Sequence, residues 1–181
     1  MKKTALLLFM LVNYSYGYTY NKLLLKAQAS IFPKIIMLDK QLENKLVDGK
    51  IVYTIVYEKE DYHTALEIGE FIEANNRKDK SKYSCKVDLV EFSNFSDETQ
   101  ATAVYVLNSE ENIEKVAQGA IKQGIISFTY SINNLKQGIL FSLMLEKSTV
   151  LYLNKENLNT KKIDFVDSLY QIVNFVDKSG S

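Results

Sequence analysis

The chain has 181 residues, in which 22 basic side chains balance 22 acidic ones, and it contains one proline, one cysteine and one histidine. A nucleic-acid-binding protein usually carries a basic surplus, so the balance argues against that class. One cysteine allows no internal disulfide, and one histidine excludes a His-rich zinc site. Core packing must therefore stabilise the fold.

The first seventeen residues have the pattern of a secretory signal peptide. Lys2 and Lys3 precede an unbroken apolar run over 5–12, and a short polar stretch ends at Gly17. The run is shorter than the roughly 20 residues that span a bilayer. A membrane anchor or a buried helix is the alternative. We predict that residues 1–17 are removed on export, so that the mature protein works outside the cytoplasm.

The mature chain is predicted to open with a helix. Leu24, Ala27, Ile31 and Ile35 recur at helical spacing. Pro33 interrupts this pattern, and we expect a kink or break near Phe32 because proline lacks the amide hydrogen of the helical ladder.

Strands and helices then alternate at short spacing. Strands are predicted over 50–57, 85–92, 103–107 and 125–130, and the first is apolar on both faces, as in a central strand covered on both sides. Helices are predicted after Asp61 and after Asn108 or Ser109, with Gly124 ending the second of them. This alternation is typical of an α/β sheet with helices on both faces.

The C-terminal part predicts a different connection. Segments 138–146 and 149–154 read as strands joined by only two residues, which implies an antiparallel hairpin. A last helix is predicted over 164–176 from an apolar stripe. The fold class is therefore α/β: a mainly parallel twisted sheet flanked by helices on both faces, with a C-terminal antiparallel hairpin and a closing helix. We predict that residues 18–177 form one domain and that 178–181 form a disordered tail.

Ligands of open parallel sheets bind beyond the carboxyl ends of the strands. Glu58 and Asp61 follow the first predicted strand, and Asn108 and Ser109 follow the third. A helix beginning near Ser109 would offer backbone N–H groups to an anion. The alternative is that Asn108 and Ser109 only cap that helix, and the two glutamates that follow would repel an anion. We predict a small polar or anionic ligand at these four residues.

The loop over 130–134 is a further candidate for ligand binding. Tyr130 offers an aromatic face, and Ser131 and Asn133 offer groups that donate and accept hydrogen bonds. The alternative is a solvated turn.

Catalysis is not indicated by the sequence. It has no GxSxG, HExxH or CxxC motif, and His63 lies in a predicted first helical turn. Glu58, Glu60 and Asp61 are adjacent in sequence, whereas a glycosidase needs carboxyls that converge from separated segments. Cys85 is interpreted as a small buried hydrophobe, with an intermolecular disulfide or a redox thiol as alternatives. We predict a non-enzyme with no catalytic residue, no metal and no cofactor.

The run Gly138–Leu143, followed by Val150–Asn154 and an amphipathic helix, resembles the end of the YfiR/HmsC family of periplasmic regulatory proteins. The opening is also similar, with Leu25-Lys26-Ala27 leading through to Phe32, and the strand over 51–57 with its acidic turn takes the place of the family's valine-rich strand. The likeness covers nearly the whole mature chain and depends on the order of elements. Two departures are the lone Cys85, where members often carry cysteine pairs, and Gln137-Gly138 in place of Gly-Gly.

This resemblance implies a periplasmic, non-catalytic regulator. Family members hold back a membrane-bound partner, usually a diguanylate cyclase, by binding its periplasmic sensor domain and so controlling cyclic-di-GMP synthesis. We predict partner contacts at Phe32, Ile36 and Phe141, no nucleic-acid partner, and no membrane-spanning segment after cleavage. The alternative is a periplasmic small-molecule receptor that serves a sensor histidine kinase or a transporter, and a less favoured one is an exported hydrolase.

Overall fold

The computed structural model describes residues 17–78, 81–160 and 162–176. The predicted signal peptide, apart from Gly17, and the predicted tail over 178–181 lie outside these residues. Within the described ranges there are four α-helices: α1 Lys22–Ile36, α2 Tyr62–Lys78, α3 Ile113–Gln123 and α4 Asp167–Tyr170. The strands are β1 Ile51–Tyr57, β2 Cys85–Glu91, β3 Ala103–Val106, β4 Ile126–Thr129, β5 Phe141–Leu145, β6 Thr149–Asn154 and β7 Val173–Val176.

The seven strands form one sheet in the order β2-β1-β3-β4-β5-β6-β7. Strands β1 to β5 are parallel, β6 runs antiparallel to β5, and β7 pairs in parallel with β6. The order 2-1-3-4-5 is that of the flavodoxin-like doubly wound sheet. The predicted α/β class and the predicted C-terminal hairpin are therefore confirmed.

Two cores cover the two faces of the sheet, and β1 contributes to both. All seven residues of β1 are buried. Tyr53 and Ile55 belong to the core that also contains α1 and α2, while Val56 belongs to the core under α3. Alternate strand residues point to opposite faces, so a strand covered on both sides is apolar throughout.

The sequence predicts a kink or a break near Phe32. Helix α1 continues through Pro33, so the break is wrong. Pro33 cannot donate to the carbonyl of Ala29, four residues earlier. The side-chain amide of Asn75, on α2, lies 3.5 Å from that carbonyl oxygen and donates to it instead. Packing against α2 thus supplies the hydrogen bond that proline removes.

Helix α3 begins later than the sequence predicts. Its N-cap is Asn112, and Ser109 lies in the preceding loop. The predicted end is confirmed, because Gly124 follows the helix with φ of +74°. This left-handed conformation is the usual helix C-terminal use of glycine.

The closing helix is much shorter than the predicted segment 164–176. Only Asp167–Tyr170 is helical, and Val173–Val176 forms β7. Phe165 and Leu169 of the predicted stripe are buried, but Ile172 is 68% exposed. Pairing with β6 explains the difference, because β6 would otherwise leave its backbone groups unpaired along a sheet edge.

Among the described residues, no helix combines the length and the apolar character that crossing a membrane requires.

Candidate functional site

A cleft lies beyond the carboxyl ends of β1 and β3, where the strand order reverses. β2 lies beyond β1 on one side and β4 beyond β3 on the other, which makes this the topological switch point of the sheet. The cleft has a volume of about 470 Å³. We call it the switch-point cleft, and it is lined by Gly17, Tyr18, Glu58, Glu60, Asp61, Ser109, Glu110, Glu111 and Asn112.

Tyr20 connects the ends of three strands beside this cleft. Its Oη donates to Asp61 Oδ2 at 2.6 Å and accepts from the backbone N–H of Asn108 at 3.1 Å. Its ring packs edge-on against Tyr130, with centroids 4.8 Å apart, and the Tyr130 hydroxyl accepts from the amide of Asn21 at 2.8 Å. The segment before α1 is therefore fixed to the ends of β1, β3 and β4.

A second network holds the loop after β3 against the end of β1. Ser109 Oγ donates to the Glu58 carboxylate, and Asn112 Nδ2 donates to Glu58 Oε1 at 3.1 Å. The backbone N–H of Asn112 donates to Ser109 Oγ at 3.2 Å. Ser109 therefore does not cap α3; it positions a glutamate of the cleft.

The lining of the cleft is strongly acidic. Five of its residues carry carboxylates, from Glu58, Glu60, Asp61, Glu110 and Glu111, and none of its lining residues is basic. Because five carboxylates line the cleft, the predicted anionic ligand is disfavoured here. The electrostatics favour a cation.

Asp61 is the most buried carboxylate of the cleft, with 3% of its surface exposed. Burial raises the pKa of Asp61, because the charged form loses solvation, and the neighbouring Glu60 and Glu58 raise it further. Donation from Tyr20 and from the backbone amide of Tyr18 acts in the opposite direction. Burial and the same hydrogen bond raise the pKa of Tyr20 well above its ordinary value, so Tyr20 remains the donor.

The structure brings four of the predicted ligand residues together and separates the others. Glu58, Asp61 and Ser109 line the cleft, and Asn108 contacts it through Tyr20. Tyr130 lies beside Tyr20 but is not part of the lining.

The remaining loop residues have local roles. Ser131 is the N-cap of a short 3₁₀-helix over Ile132–Gln137, and its Oγ accepts from the amide of Asn133 at 3.3 Å. Asn133 is exposed, and neither residue is among those that line the cleft. These two residues therefore lie in the turn after β4, outside the lining of the cleft.

The predicted partner contacts Phe32, Ile36 and Phe141 are wrong. All three side chains have no exposed surface and belong to the core between α1, α2 and the sheet. Their apolar character serves packing, which the sequence pattern alone does not distinguish from a docking surface. Among the described residues, the exposed large apolar side chains are Tyr18, Leu23, Met37, Tyr62, Leu66, Ile172 and Phe175.

The other chemistry-bearing residues have ordinary surroundings. Within the described ranges, no three His, Cys, Asp or Glu side chains gather closely enough to hold a metal ion. His63 is an exposed residue in the first turn of α2. Cys85 is half-buried at the start of β2, and burial raises its pKa to about 11. Its thiol is therefore protonated at neutral pH.

Comparison with known proteins identifies the fold and no family. No family model matches the chain, and no curated protein matches it. Among solved structures, it is similar to a conserved domain protein from Vibrio cholerae O1 biovar El Tor, with 13% identity over 83% of this chain and 59% of that chain and a TM-score of 0.56. It is also similar to an ABC domain in complex with L-Trp from Streptococcus pneumonia, with 12% identity, 78% and 62% coverage and a TM-score of 0.51.

The chain spans about three fifths of the length of each of these two structures. At such low identity the likeness extends to the arrangement of strands and helices and not to individual site residues.

Proposed function

We propose that this chain is an exported recognition domain whose switch-point cleft binds a small cationic ligand. The observation that supports this most is the lining of the cleft: five carboxylates and no basic side chain, at the crevice where doubly wound sheets bind ligands. A ligand with a positive charge would offset the mutual repulsion of these carboxylates.

An amine is the cation that fits this lining best. The described carboxylates do not form a metal-binding group. One structural neighbour is described as a complex with L-Trp, a molecule that carries an ammonium group. Its carboxylate would be repelled by the present cleft, so an amine without an acid group suits this chain better.

Three related compounds test this charge preference: tryptamine, which is cationic, L-tryptophan, which is zwitterionic, and indole-3-propionate, which is anionic. By isothermal titration calorimetry we expect tryptamine to bind at least about tenfold more tightly than L-tryptophan, and indole-3-propionate not to bind. Tryptamine affinity should also fall as sodium chloride rises, because salt screens exposed charges. Equal affinities for the three compounds would contradict the proposal.

Substitutions of lining residues test whether tryptamine binds in the cleft. Glu110→Gln and Glu111→Gln each remove one charge from exposed lining residues. We expect each to weaken tryptamine binding several-fold. Glu98→Gln is the matched control, because Glu98 is exposed in the loop before β3 and does not line the cleft. Loss of binding in the control as well would indicate a general effect of net charge.

We further propose that ligand occupancy is reported to a membrane-bound signalling protein of the diguanylate cyclase type. The resemblance to the YfiR/HmsC family supports this regulatory role and the periplasmic location. Binding would transmit a signal only if the partner has different affinities for the free and the occupied domain. A pull-down from detergent-solubilised membranes with the mature chain, with and without tryptamine, tests the proposal: recovery of a cyclase would support it.

The second candidate is a small-molecule receptor that serves a sensor histidine kinase or a transporter. The neighbour described as an ABC domain in complex with L-Trp favours it. The same pull-down separates the two, because recovery of a permease or a histidine kinase would support the receptor and contradict the cyclase regulator.

A further inference from the structure

A second cavity lies at the other end of β1 from the switch-point cleft. It has a volume of about 250 Å³ and lies between the C-terminal halves of α1 and α2 and the first residues of β1 and β2. We call it the helix-side cavity; its lining includes Pro33, Ile36, Met37, Tyr53, Asn75 and Cys85. Its volume is slightly below the range usual for drug-sized ligands, so it suits a smaller molecule.

Tyr53 lines this cavity, and its hydroxyl is an unsatisfied polar group. Tyr53 has no exposed surface, and its Oη has no hydrogen-bond partner among the described residues. Buried hydroxyls are nearly always hydrogen-bonded, because an unpaired one loses its water without compensation. An unpaired hydroxyl on a residue that lines a cavity therefore favours a hydrogen-bond partner from outside the chain.

A neighbouring tyrosine shows that the fold does satisfy such groups elsewhere. Tyr105 on β3 is equally buried and belongs to the same core as Tyr53. Its Oη donates to Oε1 of the buried Gln28 at 2.5 Å, and Gln28 Nε2 donates to the carbonyls of Tyr130 and Leu143. Tyr105 thus has a hydrogen-bond partner within the chain, whereas Tyr53, which lines the cavity, has none among the described residues.

The lining of the cavity favours an uncharged occupant. Lys34 is its only charged residue, and the side chain lies on the exposed surface of α1. The thiol of Cys85 is protonated at neutral pH. Pro33, Ile36, Met37 and Ile51 supply apolar surface. Burying a full charge among these apolar side chains would cost solvation free energy.

We propose that the helix-side cavity binds a small, uncharged and largely apolar molecule whose single polar group hydrogen-bonds to Tyr53 Oη. This site is independent of the switch-point cleft, in its location and in the charge of its ligand. The two can therefore be tested separately in the same preparation.

Three probes of similar shape test the chemistry: 4-ethylphenol, which has one hydroxyl, ethylbenzene, which has none, and 4-ethylbenzoate, which is charged. We expect 4-ethylphenol to bind about tenfold more tightly than ethylbenzene, as one additional hydrogen bond allows. We expect no binding of 4-ethylbenzoate. Tightest binding by the benzoate, or binding by none of the three, would overturn the proposal.

Tyr53→Phe isolates the hydroxyl with little change in shape. In this variant 4-ethylphenol and ethylbenzene should bind equally, and the free protein should be no less stable than the wild type, because the substitution removes an unsatisfied buried group. Tyr57→Phe is the matched control, since Tyr57 lies on the same face of β1 outside the cavity lining. A tenfold preference that persists in Tyr53→Phe would overturn the proposed contact.

The single cysteine provides a readout of where the probe binds. Cys85 lines the cavity and is the only thiol of the chain, so alkylation by iodoacetamide at pH 8.5 reports on this place alone. Saturating 4-ethylphenol should slow the alkylation several-fold in the wild type, whereas tryptamine should leave it unchanged. An unchanged rate at saturating 4-ethylphenol would show that the probe binds elsewhere, or that water alone satisfies Tyr53, and would overturn the proposal.

Discussion

Tyr20 Oη lies 2.6 Å from Asp61 Oδ2, although 41 positions separate the two residues along the chain. The same hydroxyl accepts from the amide of Asn108. One side chain that precedes the first helix thus fixes the ends of β1 and β3 relative to each other. The geometry of the switch-point cleft depends on this contact.

Tyr20→Phe should destabilise the protein by about 1 to 2 kcal/mol, because it removes a hydrogen bond to a carboxylate and leaves the Asn108 amide without its acceptor. Urea denaturation at pH 7 measures the free energy of unfolding. Tyr62→Phe is the control, since Tyr62 is 45% exposed at the start of α2. Equal effects of the two substitutions would contradict the assigned role of Tyr20.

Asp61 should make stability fall as the pH rises above about 4. Its pKa is raised in the folded state, chiefly by burial, above the unfolded value of about 3.9. Its stabilising contribution is therefore fully present below that value and is lost as the pH rises through the raised pKa. In Asp61→Asn this component is absent, so the free energy of unfolding should decline less between pH 4 and 7. Urea titrations at several pH values give the slope of the free energy of unfolding against pH for the wild type and for Asp61→Asn. Identical slopes would contradict the raised pKa of Asp61.

Asn75→Ala should destabilise the protein by about 0.5 to 1.5 kcal/mol, because the Ala29 carbonyl loses its donor. In a Pro33→Ala background the cost should be smaller, since alanine at position 33 supplies the helical N–H. A double-mutant cycle from thermal or urea denaturation measures this coupling. Additive effects of the two substitutions would show that Asn75 does not compensate for Pro33.

Cleavage after Gly17, as the sequence predicts, would convert the Tyr18 amide nitrogen into an ammonium group beside Asp61. The Tyr18 amide already acts on the Asp61 carboxylate, and both residues line the cleft with four further carboxylates. The α-amino pKa should therefore exceed the usual range of about 7.7 to 8.0. An NMR titration of a chain that begins at Tyr18 measures it.

Asp61→Asn should bring that α-amino pKa back toward the usual range, and Glu98→Gln should not. The terminal ammonium and an amine ligand would compete for the same carboxylates, so acetylating the terminus should raise the affinity for tryptamine. An α-amino pKa within the usual range in the wild type would contradict the predicted contact between the terminus and the cleft carboxylates. It would not decide whether the cleft binds an amine, which the calorimetry tests.

The sheet was predictable because its central strands are apolar on both faces. β1, β3 and β4 lie within the segments that the sequence indicates, and Gly124 ends α3 as expected. The strands follow from the local pattern of apolar residues, and the helix end follows from the left-handed backbone conformation that glycine readily adopts. Glu58, Asp61 and Ser109 each follow a predicted strand, which places them at the carboxyl edge of the sheet. The strand order then shows that the cleft lies at this edge.

The errors arise where a distant residue overrides the local pattern. Pro33 lies inside a continuous helix in which Asn75 donates to the Ala29 carbonyl, and Val173–Val176 is a strand that pairs with β6. The sequence does not predict Tyr20 as a site residue, because no motif near it signals a contact with Asp61. An apolar pattern does not show how deeply a side chain is buried. Only the packed fold shows that the predicted partner contacts Phe32 and Phe141 are buried.

The two ends of the described chain differ in how they can be modified. Gly17 approaches Asp61 so closely that a Cβ on the glycine would lie 3.1 Å from Asp61 Oδ1. Val176 ends β7, which runs opposite to β1 and therefore finishes at the far end of the sheet from the cleft. Affinity tags, fluorophores or surface attachment should accordingly be placed after β7, because a fusion at the front would obstruct the very opening that a binding assay is meant to measure.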